Sequence, residues 1–279
     1  MLRLLTTLSL AAIVFVSANR LAEAQQLRVY TVVERLEGEA SEMKSEVIAR
    51  SLTLFHARKV YDWIPSVGEV TIYEPSYERF ILFDSNRMLV TTASFEEIQR
   101  LLDSARDETR NFAMRLKERS DREAQTIAGP LLFQLAPKFD ETFEPTSHKL
   151  TLTSPRFSYV VECGQPPIPE TLTAYLDYTD WAARLNHVLH PHSLYPEPRL
   201  KLNQALRTHE QLPMKVALRV AFDRALHLQA THRFDWDLSS DDRQRINHWE
   251  TLLKSPNIKE VSFRDYQRAV VLGGAQAKK

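Results

Sequence analysis

The chain has a single cysteine, Cys163, in 279 residues. That excludes an intramolecular disulfide and leaves stability to a hydrophobic core, which a chain of this length can supply. There are only 6 glycines, and none are grouped into a phosphate-cradling loop or a dinucleotide fingerprint. Neither sign of charge is in excess, with 36 basic side chains against 36 acidic ones. A neutral balance gives no electrostatic ground for nucleic acid, whose phosphates select basic surfaces. Asn-x-Ser/Thr sequons are absent, which leans toward a bacterial envelope over a eukaryotic secretory route. No apolar run after Ala18 is long enough to span a bilayer as a helix.

What is present begins at the N-terminus. Arg3 supplies a positive n-region, and Leu4 to Ala18 is an uncharged apolar h-region. Ala22-Glu23-Ala24 then offers a small-x-small cleavage site. The apolar run falls short of the roughly twenty residues of a spanning helix. It therefore predicts a cleaved signal peptide over residues 1–24, with an uncleaved anchor or a buried first helix as the alternatives. The mature chain, 25–279, is expected to be a soluble secreted or periplasmic protein with no transmembrane segment.

From Leu27 to Thr92 the chain reads as strands, at 27–36, 47–64, 69–74, 78–84 and 87–93. Pro65-Ser66-Val67-Gly68, Glu74-Pro75-Ser76 and Asp84-Ser85-Asn86 carry turn chemistry between them. Links this short join antiparallel neighbours and predict a meander of five or six strands. In 78–84, Phe80 and Leu82 point to one face and Ile81 and Phe83 to the other. Both faces must therefore be covered, by helices on one face and a ligand on the other, or by a sheet curled around a plug.

Ser94-Phe95-Glu96-Glu97 opens a charged helix over 95–127 as a capping box. Its apolar stripe is Ile98, Leu102, Ala105, Thr109, Phe112 and Leu116. Gly129-Pro130 is read as its end, followed by strands at 131–136, 148–154 and 156–163. Helices follow at 170–189 and up to about Thr208, then a hairpin of 214–222 with 225–236, and helices after Ser239 and over 258–271. Strand groups separated by helical groups predict an α+β fold: a mainly antiparallel, curled sheet covered by several helices. Residues 25–279 are read as one domain, with a candidate sub-domain break near 164–169.

The chemistry-bearing residues are few. His187, His190 and His192 lie within six residues and are a candidate metal set, although Pro191 breaks the helical register and no zincin spacing is present. Cys163 lacks an electropositive setting, since Glu162 adjoins it. Asp235, Asp237, Asp241 and Asp242 gather carboxylates, but Ser239 with Asp242 reads as a capping box. No GxSxG or Walker signature occurs, and no cofactor is implied. The aromatics of the first meander, Phe55, Tyr61, Trp63, Tyr73, Phe80 and Phe83, are core candidates and also candidates to line an apolar groove.

The stretches LTLFHARKVYDW, EVTIYEPSYERFILFDSNRMLVTT, MKVALRVAF and ALHLQATHRFDW resemble the periplasmic lipoprotein-carrier superfamily, the LolA-like half-barrels. The resemblance implies an exported curled sheet plugged by helices, with an apolar concavity for acyl chains. It transfers no individual functional residue. The sequence thus predicts a non-catalytic envelope protein binding a lipid or acylated ligand. An envelope scaffold holding a protein partner, and a metal-dependent enzyme using the three histidines, are the alternatives.

Overall fold

The computed structural model describes residues 26–38, 44–119, 121–222 and 225–276; the expected signal peptide lies outside them. Six strands come first: β1 (Leu27–Glu37), β2 (Lys44–His56), β3 (Lys59–Ile64), β4 (Glu69–Glu74), β5 (Arg79–Asp84) and β6 (Leu89–Ser94). Helices α1 (Phe95–Glu118) and α2 (Arg122–Leu135) lead to β7 (Asp140–Glu144), β8 (Lys149–Ser154) and β9 (Phe157–Gly164). Then come α3 (Pro169–Leu189), α4 (Glu197–Thr208), β10 (Leu212–Ala221) and β11 (Ala225–Asp235). The described chain finishes with α5 (Ser240–Leu252), β12 (Lys259–Glu260) and α6 (Phe263–Gln276). Among the described residues no helix is long and apolar enough to cross a membrane.

All twelve strands belong to one open, curled sheet in the order β12-β6-β5-β4-β3-β2-β1-β11-β10-β9-β8-β7. Every pairing is antiparallel except the short parallel contact of β12 with β6. The late hairpin β10–β11 fills the space between two meanders. It pairs with β1 on one side, from Arg28↔Asp235 to Arg35↔Leu228, and with β9 on the other. The 164–169 segment therefore joins parts of a single sheet.

Helices cover both faces. On the concave face Leu27, Val29, Phe55, Val60, Tyr73, Phe80 and Leu82 pack with Leu172, Leu176, Leu185 and Leu202 of α3 and α4. On the convex face Leu52, Leu54, Tyr61, Val70, Ile72 and Phe83 pack beneath Ile246 and Trp249 of α5. The two-sided apolar strands are thus explained by two helix layers, with Phe80 and Phe83 of β5 fully buried on opposite sides.

Several element boundaries differ from the expectation. The stretch 47–64 is two strands, because Ala57 and Arg58 turn the chain with φ of 50° and 62°, the left-handed geometry usual for Asn-Gly in a tight hairpin. The helix over 95–127 is two helices. Gly129-Pro130 does not end the second, which runs through Pro130 to Leu135. Pro130 leaves free the carbonyl of exposed Thr126, where water can satisfy it. Ala124 and Ala128 hold that helix close against Ala113 and Leu116 of α1. Residues 131–135 are therefore helical, and the missing strand is instead β7, whose polar sequence, with Phe143 its one apolar residue, concealed it. In α1, Ala113 is buried and Phe112 is exposed, while Thr109, the weak position of the stripe, hydrogen-bonds the Tyr195 hydroxyl at 2.7 Å. The segment 258–271 holds β12 and most of α6.

Both expected N-caps form, but among the described residues only the second closes as a capping box. The Ser94 hydroxyl accepts the Glu97 N–H at 3.1 Å, and Ser239 with Asp242 forms a reciprocal capping box. Gly68 has a left-handed φ of 69°, and a β-carbon there would meet Asn86 Nδ2 at 2.7 Å. That amide donates to the Val67 carbonyl at 2.9 Å, so the β3–β4 and β5–β6 turns lock together.

Leu176 is 0% exposed at the heart of the concave core. Leu176→Ala is expected to cost about 2–5 kcal/mol in urea unfolding. Thr173→Ala, one turn earlier on the exposed side, should stay within about 0.5 kcal/mol. Equal effects would place α3 outside the core.

Candidate functional site

The alternation of side chains along the strands separates the six candidate aromatics. Phe55, Tyr73 and Phe80 belong to the concave core, and Tyr61, Trp63 and Phe83 to the convex one. Five of the six are buried and Trp63 is half-buried. Tyr61 stacks on Trp249, with ring centroids 6.2 Å apart, and Arg245 sits over the Trp63 ring at 5.0 Å. No single surface gathers all six.

Phe55 and Tyr73 do share a cleft. It opens between the β2–β3 turn, the short 3-10 turn Pro75–Tyr77 and the N-terminal end of α3, with a volume of about 480 Å³. Phe55, Val60, Tyr73 and Ala174 give it an apolar lining, and Arg58, Lys59, Glu170 and Asp177 bring both signs of charge. This is the size of a small-molecule site with a few polar groups around an apolar floor. Tyr73 also packs edge-on to Tyr178, at 5.7 Å, and against Phe95, at 5.5 Å, so the cleft wall continues into the helix core.

The rim on the β3 side is rigidly braced. Lys59 Nζ lies 2.8 Å from Glu74 Oε1 and 3.0 Å from Glu250 Oε1. Arg79 Nε donates to Glu74 Oε2 at 2.7 Å, and the Tyr61 hydroxyl donates to Glu250 at 2.7 Å. Burial pushes the Glu74 carboxyl upward, but the bonds from Lys59 and Arg79 outweigh it and hold the group below the usual carboxylate range. Arg58, in its left-handed turn, is exposed beside this network. Such strained geometry is tolerated where the surroundings over-determine it.

Deeper along the concave face runs a band of polar groups. Asp62 accepts the Thr53 hydroxyl at 2.7 Å. Burial raises its carboxyl above the ordinary value, against the bonds from Thr53 and Tyr178. One strand further, Thr31 Oγ1 and His232 Nδ1 are 2.9 Å apart, while His232 Nε2 is buried without a partner. Burial, and then the Arg199 charge, lower the His232 pKa to about 3.

The remaining candidates are dispersed. His187 is 3% exposed and stacks on Tyr195, with centroids 4.0 Å apart, whereas His190 and His192 are exposed in the loop beyond α3. Among the described residues no group of three or more His, Cys, Asp or Glu side chains is placed to hold a metal ion. Burial pushes the Cys163 thiol up to about 11, which leaves little thiolate at neutral pH. Asp235 pairs with Arg28 at 2.8 Å, and Asp242 is taken up by its capping box.

No protein-family model and no curated protein matches the chain.

His232 generates a pH prediction. Between about pH 6.5, its unfolded value, and about pH 3, the unfolded chain binds a proton that the folded chain refuses. His232 therefore makes the fold lose stability as pH falls through that window. The stability of the wild type relative to His232→Gln, measured by urea unfolding, should be constant above the window and decline within it. A constant offset throughout would show that the ring is not held neutral.

Proposed function

We propose that the protein is an exported, non-catalytic binding protein whose cleft at the N-terminal end of α3 takes an apolar or acylated ligand. The observation that carries the reading is the apolar floor of Phe55, Val60, Tyr73 and Ala174 in a cleft of about 480 Å³. The two basic and two acidic side chains on its walls balance in formal charge and leave the recognition chiefly hydrophobic. The N-terminal signal sequence supports an envelope or extracellular location. The resemblance in strand rhythm to the lipoprotein carriers supports an acyl ligand over an aromatic one. The missing GxSxG and zincin motifs support binding without turnover.

A second reading is favoured by α1, where Leu101 and Phe112, eleven residues apart and so on one side of the helix, are exposed at 37% and 45%. That side supports the alternative of an envelope scaffold holding a protein partner.

The cleft reading is tested with N-phenyl-1-naphthylamine, a dye that fluoresces in apolar sites. Ser76 is exposed at the cleft mouth, so Ser76→Trp fills the space without touching the core. The dye is expected to bind the wild type, and Ser76→Trp to raise its Kd by about tenfold, or about 1.4 kcal/mol. An unchanged melting temperature would accompany that loss. Wild-type protein that does not bind the dye, or a variant that binds it equally well, would remove the cleft from consideration.

A further inference from the structure

A second cleft adjoins the one at the N-terminal end of α3. It has a volume of about 540 Å³ and lies between the 165–169 link, the first turn of α3 and the connection from α4 to β10. Leu172 gives it an apolar patch, and Gln165, Arg207, His209, Glu210 and Gln211 give it polar walls. Pro169 and Thr173 line both clefts. Asp177, on the wall of the first, lies 2.9 Å from Arg207, on the wall of the second. Pro169, Thr173 and Asp177 are spaced four residues apart, one stripe along the helix, and all three are exposed. The clefts are therefore the two sides of one ridge, and a single ligand can lie across it.

The two sides differ in chemistry. The first has the apolar floor of Phe55, Val60, Tyr73 and Ala174. On the second, the ionic groups are already matched. Arg207 donates to Asp177 and lies 2.9 Å from Asp180 as well. His209 Nε2 is 2.8 Å from Glu141, and its ring stacks on Phe143 with centroids 4.4 Å apart. Two acids thus face one guanidinium, and exposed Glu210 adds another carboxylate to the wall. An anionic head would meet more negative than positive charge there.

What the wall offers a ligand is a mixed set of donors and acceptors. The exposed Gln165 amide can do both. The Thr173 hydroxyl donates to the Pro169 carbonyl at 3.3 Å and keeps its lone pairs for accepting. The Glu210 carboxylate accepts, and Arg207 has further N–H groups to donate. Hydroxyl groups, each a donor and an acceptor, match such a set.

We infer that the two clefts together take an amphiphile with an uncharged, hydroxyl-bearing head, as in a glyceride or a glycoside. Its alkyl chain lies on the floor of the first cleft, and its head crosses the ridge of Pro169 and Thr173 to reach Gln165, Arg207 and Glu210. The inference rests on the function proposed for the first cleft and adds the class of its ligand and a second subsite.

The test is displacement of N-phenyl-1-naphthylamine by dodecyl maltoside, dodecanol, dodecyl phosphate and dodecyltrimethylammonium, each below its micellar concentration. Dodecyl maltoside is expected to bind at least about tenfold more tightly than the other three. Gln165 does not line the first cleft, so Gln165→Trp, which fills the second, is expected to abolish that preference and leave the affinities for the dye and for dodecanol unchanged. A dye that fails to bind the wild type would overturn the cleft reading and this inference together. A dye that binds the wild type and is lost from Ser76→Trp, with the four amphiphiles equal, would overturn the inference alone. Tighter binding of the phosphate or the ammonium would overturn the hydroxyl-bearing head, and a preference that survives in Gln165→Trp would overturn the second subsite. Should Gln165→Trp fail to fold, Gln165→Ala carries the test, with an expected loss of about threefold for dodecyl maltoside alone. Full affinity in that variant would overturn the inference.

Discussion

The ladder between β1 and β11 is the contact on which the rest of the molecule depends. It pairs Arg28 with Asp235 and continues to Arg35 and Leu228, bringing together segments about two hundred residues apart in sequence. Without it the first meander and the strands β7–β11 would be two small sheets with unpaired edges, which invite association. With it, one continuous surface exists for α3 and α4 to fill. The backbone bonds set the register, and the alternation of side chains then decides what each face presents. Closing so long a loop costs entropy that nearby contacts do not repay, so this pairing is expected to form late in folding.

Once the sheet is continuous, its composition requires two helix layers. Strands such as β5 carry large apolar side chains in both directions, and each buried one contributes about 1.5–3 kcal/mol relative to exposure. The concave layer is long and aromatic: Phe95 stacks on Trp181 at 3.8 Å and Tyr175 meets Phe234 at 5.2 Å. The convex layer is shorter and centres on Trp249. Both layers leave parts of the sheet uncovered. The cleft forms at one end of α3, where the β2–β3 turn stands away from the helix. The half-buried strip of β10 and β11 remains beyond α4.

The polar groups of the two faces are treated differently. At the cleft, charges are braced against one another, as in the set of Lys59, Glu74, Arg79 and Glu250, and the apolar floor dominates. Deeper in the fold, His187 Nδ1, Glu197 Oε2 and His232 Nε2 are buried without a hydrogen-bond partner among the described residues, each at a desolvation cost.

Much of the local structure was legible in the sequence. The β-branched runs, the proline and glycine turns, the Ser94 and Ser239 caps and the hairpin of β10 with β11 follow from short-range rules, because their causes lie within a few residues. Phe55 and Tyr73 were recognisable as candidate lining residues for the same reason. No turn signal marks Ala57-Arg58, since neither residue favours the left-handed conformation they adopt. Nor did it show that Pro130 would lie within a helix, which the packing of Ala124 and Ala128 on α1 decides. Length, neutral charge, the signal-like N-terminus and the α+β class were settled by composition and pattern alone. The tertiary structure alone decided that each face of the sheet receives its own helix layer, that β1 pairs with β11, and that His187 is buried away from exposed His190 and His192. Those relations depend on the curl of the sheet and on contacts between distant segments, and no local spacing encodes them.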